Sequence, residues 1–490
     1  MRAVKIAPVT TNTITVTNMS LQDCIQVGLE HNLEVKIQRY NPELSRFALK
    51  SDFGAYDPTF SASGSHDFSQ APGGYDAQGR PYQGTSTDNN RGSTGFSGLM
   101  PWGLNYSLQG SLSDSYGANQ FGPFENVSGT AGFLQLRQPL LRNAWIDSSR
   151  LAIILDRRNL KISELQFRNQ VINTVTAIED AYYVLIYQQE YVEVQELALE
   201  LANRTVSENA QRVQVGTMAP LDEQQAESQA AASRADLLSA QIAEDTQQRV
   251  LKSLLSDDYS KWLNVSIKPT QPLVAIPEHF NLQESWREAF ALRPDFLQEK
   301  LSLEQAGFRV KFAYNQLFPE LDVVGTYGYS ASSSTPHASL ANTLDQFRGR
   351  DNPFWTIGGQ FSIPLSRISA RNTYRAARLT KDQVALQLKQ LQQNILIGVE
   401  NDIAVARSSF QRVQATRQAR IYAQATLDAE QKKLQNGKAT TFEVLTYQSN
   451  LTAARSAEIN ALVNYETALA ALSQAEGATL KRRHITLELR

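Results

Sequence analysis

The chain has 490 residues, with 47 Lys plus Arg against 49 Asp plus Glu and a net charge of −2. That length suits two or three domains of ordinary size, and the even charge excludes the basic surface of a nucleic-acid binder. One cysteine, Cys24, excludes a disulfide framework and a cysteine metal cluster, and five histidines without HExxH-type spacing supply no histidine metal site.

The first residues, MRAVKIAPVTTNTITVTN, carry early positive charge but no apolar run, so they do not read as a signal peptide. The expectation is a processed chain or a misplaced start, with 1–19 as an N-terminal extension. SLQDCIQVGLEHNLEV opens a helical segment over 20–57. Leu21-Gln22-Asp23 lacks the small residues that precede a lipidated cysteine, so Cys24 is read as a buried helix residue.

Segment 58–140 is read as β structure. Leu104, Tyr106, Leu108 and Leu112 alternate there with Asn105, Ser107, Gln109 and Ser111, the period of a half-buried strand. The Gly- and Ser-rich stretch 71–92 reads as a long loop. Pro101-Trp102-Gly103 reads as the turn of a further hairpin, whose place among the strands the pattern leaves open. Mean hydropathy is −0.36, and no apolar run reaches the roughly 18 residues of a membrane helix. Neither fact excludes a membrane β-barrel, whose strands are half polar.

Two long helical arms are predicted over 141–256, broken at a tip in 213–222. Residues such as Leu151, Ile154, Leu155 and Ile162 mark the outgoing arm, and Ala226, Ala230, Ala231 and Ala235 the returning one. Arms of roughly 50–70 residues span about 75–105 Å, too long for an ordinary globular helix. Gly216 suits the helix end and Pro220 the first turn of the next helix.

After a linker (257–281) the pattern repeats: helices over 282–318, β structure over 319–366, and helical arms over 367–478 with a tip in 434–443. Residues 479–490 form a tail. In the second β segment Leu321, Val323, Gly325, Tyr327 and Tyr329 share one face. Trp355, Ile357, Gly359, Phe361 and Ile363 do the same, and 331–353 reads as a loop. The opposite faces carry Ser, Thr, Asn and Gln. Phe60, Trp102, Tyr106, Tyr329 and Trp355 are placed near strand ends, as in the aromatic girdles of outer-membrane barrels. A soluble sandwich is the alternative that alternation alone leaves open.

The repeat shows in matched blocks. Leu21-Gln22-Asp23-Cys24 matches Leu282-Gln283-Glu284-Ser285 at an offset of 261 (21 to 282). Gln138-Pro139-Leu140-Leu141-Arg142 resembles Ile363-Pro364-Leu365-Ser366-Arg367 at 225 (139 to 364). Val215-Gly216-Thr217 with Asp222 matches Asn436-Gly437-Lys438 with Glu443 at 221 (216 to 437). Pro58 falls on Pro319 in the first register, and the offset then drops by 36 (261 to 225) by Pro139, so the first β segment carries about that many extra residues.

These blocks resemble the TolC family of outer-membrane efflux proteins. SLQDCIQVGLEHNLEV is similar to that family's N-terminal helix signature, with Leu21, Ile25, Leu29 and Asn32 matching. FLQLRQPLLR (133–142) resembles its strand end leading into a long helix. QVGTMAPLDEQQAE (214–227) and QNGKATTFEVLTYQ (435–448) resemble its two helix-turn-helix tips.

The resemblance implies an α+β membrane protein. A trimeric 12-strand β-barrel, four strands per protomer, would be continued by a long α-helical periplasmic barrel. It implies a homotrimer in outer-membrane lipid, working with a periplasmic adaptor (membrane fusion protein) and, through it, an inner-membrane pump of RND, ABC or MFS type. Asp222 and Glu443 match acidic entrance positions. Val215, Gly216, Thr217, Asn436, Gly437 and Lys438 match the tip turns where the adaptor docks. Family members can close the mouth with a tyrosine and an arginine around the second tip. Leu434 and Ala439 stand at those positions here, so the lock is absent or rebuilt, for example from Arg212, Gln435 or Lys438.

The function read from these features is a passive exit duct of a tripartite efflux or type I secretion system. No GxSxG, P-loop or paired-carboxylate constellation points to an enzyme or a cofactor. The other reading is a non-conducting coiled-coil structural protein or adhesin with a β head.

Overall fold

The structure, a computed structural model, describes residues 15–119 and 121–487. Residues 1–14, on which the reading of the leader rests, lie outside them. In the first half, β1 (Thr15–Met19) leads into α1 (Leu21–His31) and α2 (Leu33–Asp52). Then come β2 (Thr59–Ala71), the short β3 (Gly74–Tyr75) and β4 (Pro81–Tyr82), β5 (Thr85–Leu99), β6 (Asn105–Asn119) and β7 (Gly122–Pro139). The long α3 (Ser148–Gln214) and α4 (Pro220–Leu255) complete the half. In the second half, β8 (Val265–Pro269) precedes α5 (Leu282–Leu292) and α6 (Pro294–Asn315), then β9 (Glu320–Ser334). There follow α7 (Leu340–Gly349), β10 (Pro353–Ser362), α8 (Ile368–Gln435), α9 (Thr441–Ala475) and α10 (Thr479–Arg482).

The chain divides into a mainly helical unit, from residues 1–43, 161–300 and 387–490, and a sheet unit, from 44–160 and 301–386. In the helical unit, Ser20 starts α1 through a reciprocal capping box with Asp23, which satisfies two otherwise unpaired backbone donors. Leu21, Cys24 and Ile25 then face Val171, Val175, Ile178 and Tyr182 of α3 in one core with Leu251, Leu255 and Ile267. Cys24 is fully buried, and desolvation pushes its thiol up to about 12, so it is a core residue, as expected.

β1 and β8 pair in parallel, which the sequence reading missed in treating them as an extension and part of a linker. Side chains extend this short ladder. The Gln248 amide donates to the Ile267 carbonyl at 2.9 Å and accepts its N–H at 3.0 Å. The Tyr182 hydroxyl donates to the Met19 carbonyl at 3.1 Å.

The outgoing helices α3 and α8 hold 67 and 68 residues, about 100 Å each at 1.5 Å per residue. The returning α4 and α9 hold only 36 and 35, shorter than arms of 50–70 residues. Residues 479–487 are not a free tail: Leu480, Ile485 and Leu487 pack against the α1–α3 core.

The sheet unit corrects the strand count. One antiparallel sheet has six strands in the order β10-β9-β7-β6-β5-β2, not the four that the resemblance implies. The hairpin at Pro101-Trp102-Gly103 is inside the sheet, as β5 and β6 between β2 and β7. Much of 71–92, read as a loop, is strand, because Thr85–Arg91 pair residue by residue with Ser65–Ala71. Ser, Thr, Asp and Asn on both faces of that stretch removed the apolar alternation that marks a strand. Segment 331–353 likewise holds the end of β9 and α7, whose first turn is capped by Ser339 accepting from the Ala341 N–H at 3.2 Å.

Candidate functional site: helix tips and sheet wall

Both tips of the helical unit end a long helix in the same way. Gly216 and Gly437 have φ of 77° and 68°, a conformation that glycine adopts without the penalty of a Cβ. At the first tip the Thr217 N–H reaches the Arg212 carbonyl at 2.9 Å and the Gly216 N–H the Val213 carbonyl at 3.0 Å. At the second, Lys438 reaches Lys433 at 2.8 Å and Gly437 reaches Leu434 at 3.1 Å. This is the Schellman arrangement, which satisfies carbonyls left over at a helix end.

The return helices start differently. Pro220 opens α4 without a side-chain cap, whereas Thr440 and Glu443 form a capping box on α9. The Glu443 carboxylate accepts from the Thr440 N–H at 2.7 Å and from its hydroxyl at 3.0 Å, and the Glu443 N–H returns to the hydroxyl at 3.2 Å. Those bonds from Thr440 hold the Glu443 carboxyl below its ordinary value near 4.5. Asp222 is half-buried in the first turn of α4. The tips touch: the Thr441 hydroxyl lies 3.9 Å from the Met218 sulfur.

Val215, Leu221 and Phe442 are 73%, 62% and 66% exposed at these tips. Gly216, Thr217 and Asn436–Lys438 have no other element over them, being exposed or nearly so. Leu434 packs against the Leu427–Val444–Leu451 cluster. Gln435 and Lys438 are exposed and Arg212 is half-buried.

The sheet unit offers two unlike faces. Cross-strand register aligns Phe60 with Phe96, Phe96 with Leu108, Leu108 with Leu134, Leu134 with Tyr327 and Tyr327 with Trp355. One apolar row, four of its six members aromatic, therefore crosses every strand. The Phe60 and Phe96 rings lie 5.1 Å apart. On the opposite face Ser63, Ser93, Ser111, Thr130 and Ser330 align in the same way, and the Ser63–Ser93 and Ser111–Thr130 hydroxyls bond at 2.7 and 2.8 Å. These residues line a concavity of about 850 Å³. Phe60, Tyr106 and Trp355 stand near strand starts and Trp102 in a turn, while Tyr329 lies within β9 opposite Pro353.

Sequence reasoning missed an ionic cluster in the helical unit, built on the buried Glu179 and Glu476. The Arg483 guanidinium bonds Glu179 at 2.5 Å, and Arg482 meets Glu476 at 3.2 Å and Glu278 at 3.5 Å. Burial pushes the Glu179 and Glu466 carboxyls up against the pull of Arg483, and burial beside Glu179 pushes Asp180 up to about 6. Three consecutive basic residues, Lys481–Arg483, are the one sequence signal that could have indicated the cluster.

The pattern described as "Outer membrane efflux protein" matches residues 101–256 and 286–478. The chain belongs to the outer membrane efflux protein family. Family membership makes it an outer-membrane efflux channel and a transport protein, not an enzyme. It is 22% identical over 369 residues to "Outer membrane protein TolC" of Escherichia coli, covering 74% of this chain and 71% of that one. It is 25% identical over 360 residues to "Outer membrane efflux protein BepC" of Brucella suis, covering 72% of each. Among solved structures, the Campylobacter jejuni CmeC outer membrane channel aligns with a TM-score of 0.68 at 15% identity, over 96% of this chain and 90% of that one. The outer-membrane channel OprN aligns with a TM-score of 0.69 at 15% identity, over 94% and 90%. At such identities these structures speak to the fold of the family.

Proposed function

We propose that this chain is one protomer of a homotrimeric exit duct, passively conducting substrate from a periplasmic adaptor and an inner-membrane pump of a tripartite efflux or type I secretion system to the exterior. The sheet carries this reading. It has an aromatic-rich apolar face, a hydroxyl face, and two edges, β2 and β10, without a partner among the described residues. Unpaired edges are costly in lipid, where only a closed barrel satisfies every backbone group. Three copies close such a sheet, with the Phe60–Trp355 row toward lipid and the Ser63–Ser330 row toward the lumen.

Exposed apolar stripes on the helices support self-association. Ile37, Tyr40, Leu44 and Phe47 on α2, spaced at three and four residues, are 58–64% exposed, and Leu238 and Ile242 on α4 are 55% and 66% exposed. Such a stripe belongs against another helix. At the tips, Val215–Thr217 and Asn436–Lys438 dock the adaptor. Asp222 and Glu443, repeated threefold, form an acidic entrance that favours cations over anions. Purified protein in detergent tests the assembly. The expected behaviour is trimer mass and, on a denaturing gel, a slow trimer band that boiling converts to a faster monomer band; a monomer with unshifted migration would refute it.

A further inference from the structure

Resting on that trimer reading, we propose that the outer-membrane wall of this duct has 18 strands, six from each of three copies, instead of 12. Its bore would then pass partly folded polypeptide that a 12-stranded wall excludes.

The hairpin β5–β6 is the part of the chain that decides the count. It is not an appendage of the sheet. It lies between β2 and β7, and β5 is the one partner of β2 among the described residues. Each of its strands has 15 residues, more than the roughly 9–11 that a membrane strand needs. The apolar row runs through it without a break, by Phe96 and Leu108, and so does the hydroxyl row, by Ser93 and Ser111. A hairpin folded into the lumen or out over the membrane would give up the whole β2–β5 and β6–β7 ladders. It would also put Phe96 and Leu108 in water.

Direction also fits closure. All neighbours in the sheet are antiparallel, so with six strands β10 runs opposite to β2. The β10 edge of one copy therefore meets the β2 edge of the next as an antiparallel pair. The inner turn of the hairpin is a tight one, with Met100 N–H on the Leu104 carbonyl and Gly103 N–H on the Met100 carbonyl, both at 2.8 Å. The hairpin thus adds two strands per copy and no helix.

Strands about 4.8 Å apart and tilted about 40° give a backbone diameter of about 36 Å for 18 strands and about 24 Å for 12. The inner face is mostly Ser, Thr and Gly, with Arg91 and Asn352 among them, so side chains take little of that width. A helical hairpin, about 20–24 Å across from two helix diameters, passes the wider wall and not the narrower one. Size selection then belongs to the tips and not to the outer membrane.

Because Cys24 is fully buried, single-cysteine variants can be built on the natural chain and reconstituted into lipid vesicles. Three positions are compared: Leu108→Cys and Ser111→Cys on β6, and Trp355→Cys on β10. The expected result is loss of labelling by a water-soluble maleimide at Leu108→Cys and Trp355→Cys, with labelling by a lipid-soluble maleimide kept, and aqueous labelling at Ser111→Cys. Aqueous labelling of Leu108→Cys with Trp355→Cys still protected takes the hairpin out of the wall. That outcome overturns the 18-strand wall and leaves the duct standing. Aqueous labelling of both overturns the barrel reading itself. If a variant does not assemble, the strand count in a cryo-microscopy map of the unaltered trimer in lipid decides: 18 supports the wall and 12 overturns it.

Discussion

Arg483 is the residue whose loss should be felt most in the helical unit. Glu179 is 1% exposed and bonded to it, and removing one partner of a buried pair strands the other charge at a cost of about 3 kcal/mol or more. Arg483→Ala should therefore lower the melting temperature and make the segment after Ala478 cleavable in limited proteolysis, while Arg483→Lys keeps part of both. Asp180 adds a pH dependence of defined sign. Its folded value of about 6 lies above its ordinary 3.8, so its contribution is fully present below pH 3.8 and is lost as pH rises through 6. Asp180→Asn should flatten the part of the thermal stability profile between those values. An unchanged profile would show that Asp180 does not govern it.

At the scale of elements, deleting the hairpin tests whether it is a modular insertion. Joining β2 to β7 by a short turn in place of residues 72–121 removes an even number of large strands, so β2 and β7 remain antiparallel. The shortened chain should still assemble as a trimer with a narrower wall, and failure to assemble would mean that the hairpin is needed for closure. This element also shows what could be read from the sequence and what could not. β6, β9 and β10 were legible because Leu108, Tyr327 and Trp355 alternate with small polar residues. β2 and β5 were not, since serine, threonine and asparagine occupy both faces and period two leaves no trace. The tips were legible because Gly216 and Gly437 are needed at positive φ, and that need shows in one chain. Glu443 was seen as an acid, but its capping role depends on Thr440, three residues earlier, and was not separated from an entrance role. The Glu179–Arg483 pair joins residues 304 apart, and no local pattern announces such a contact.

For the whole molecule, the repeat matters because it builds two similar but unequal halves. Both end a long helix at a glycine and return with a helix half as long. They differ in cap chemistry, Pro220 against Thr440 with Glu443, and in the β hairpin carried only by the first. Exposed stripes on α2 and α4 and two bare sheet edges leave a single copy incomplete, which fits a working unit of several copies. Single-channel recording of the purified trimer in planar bilayers tests this most directly. The expected result is a small, long-lived conductance that grows and loses cation preference in Glu443→Ala. Trimers that insert and stay silent, with and without that substitution, would contradict an export duct.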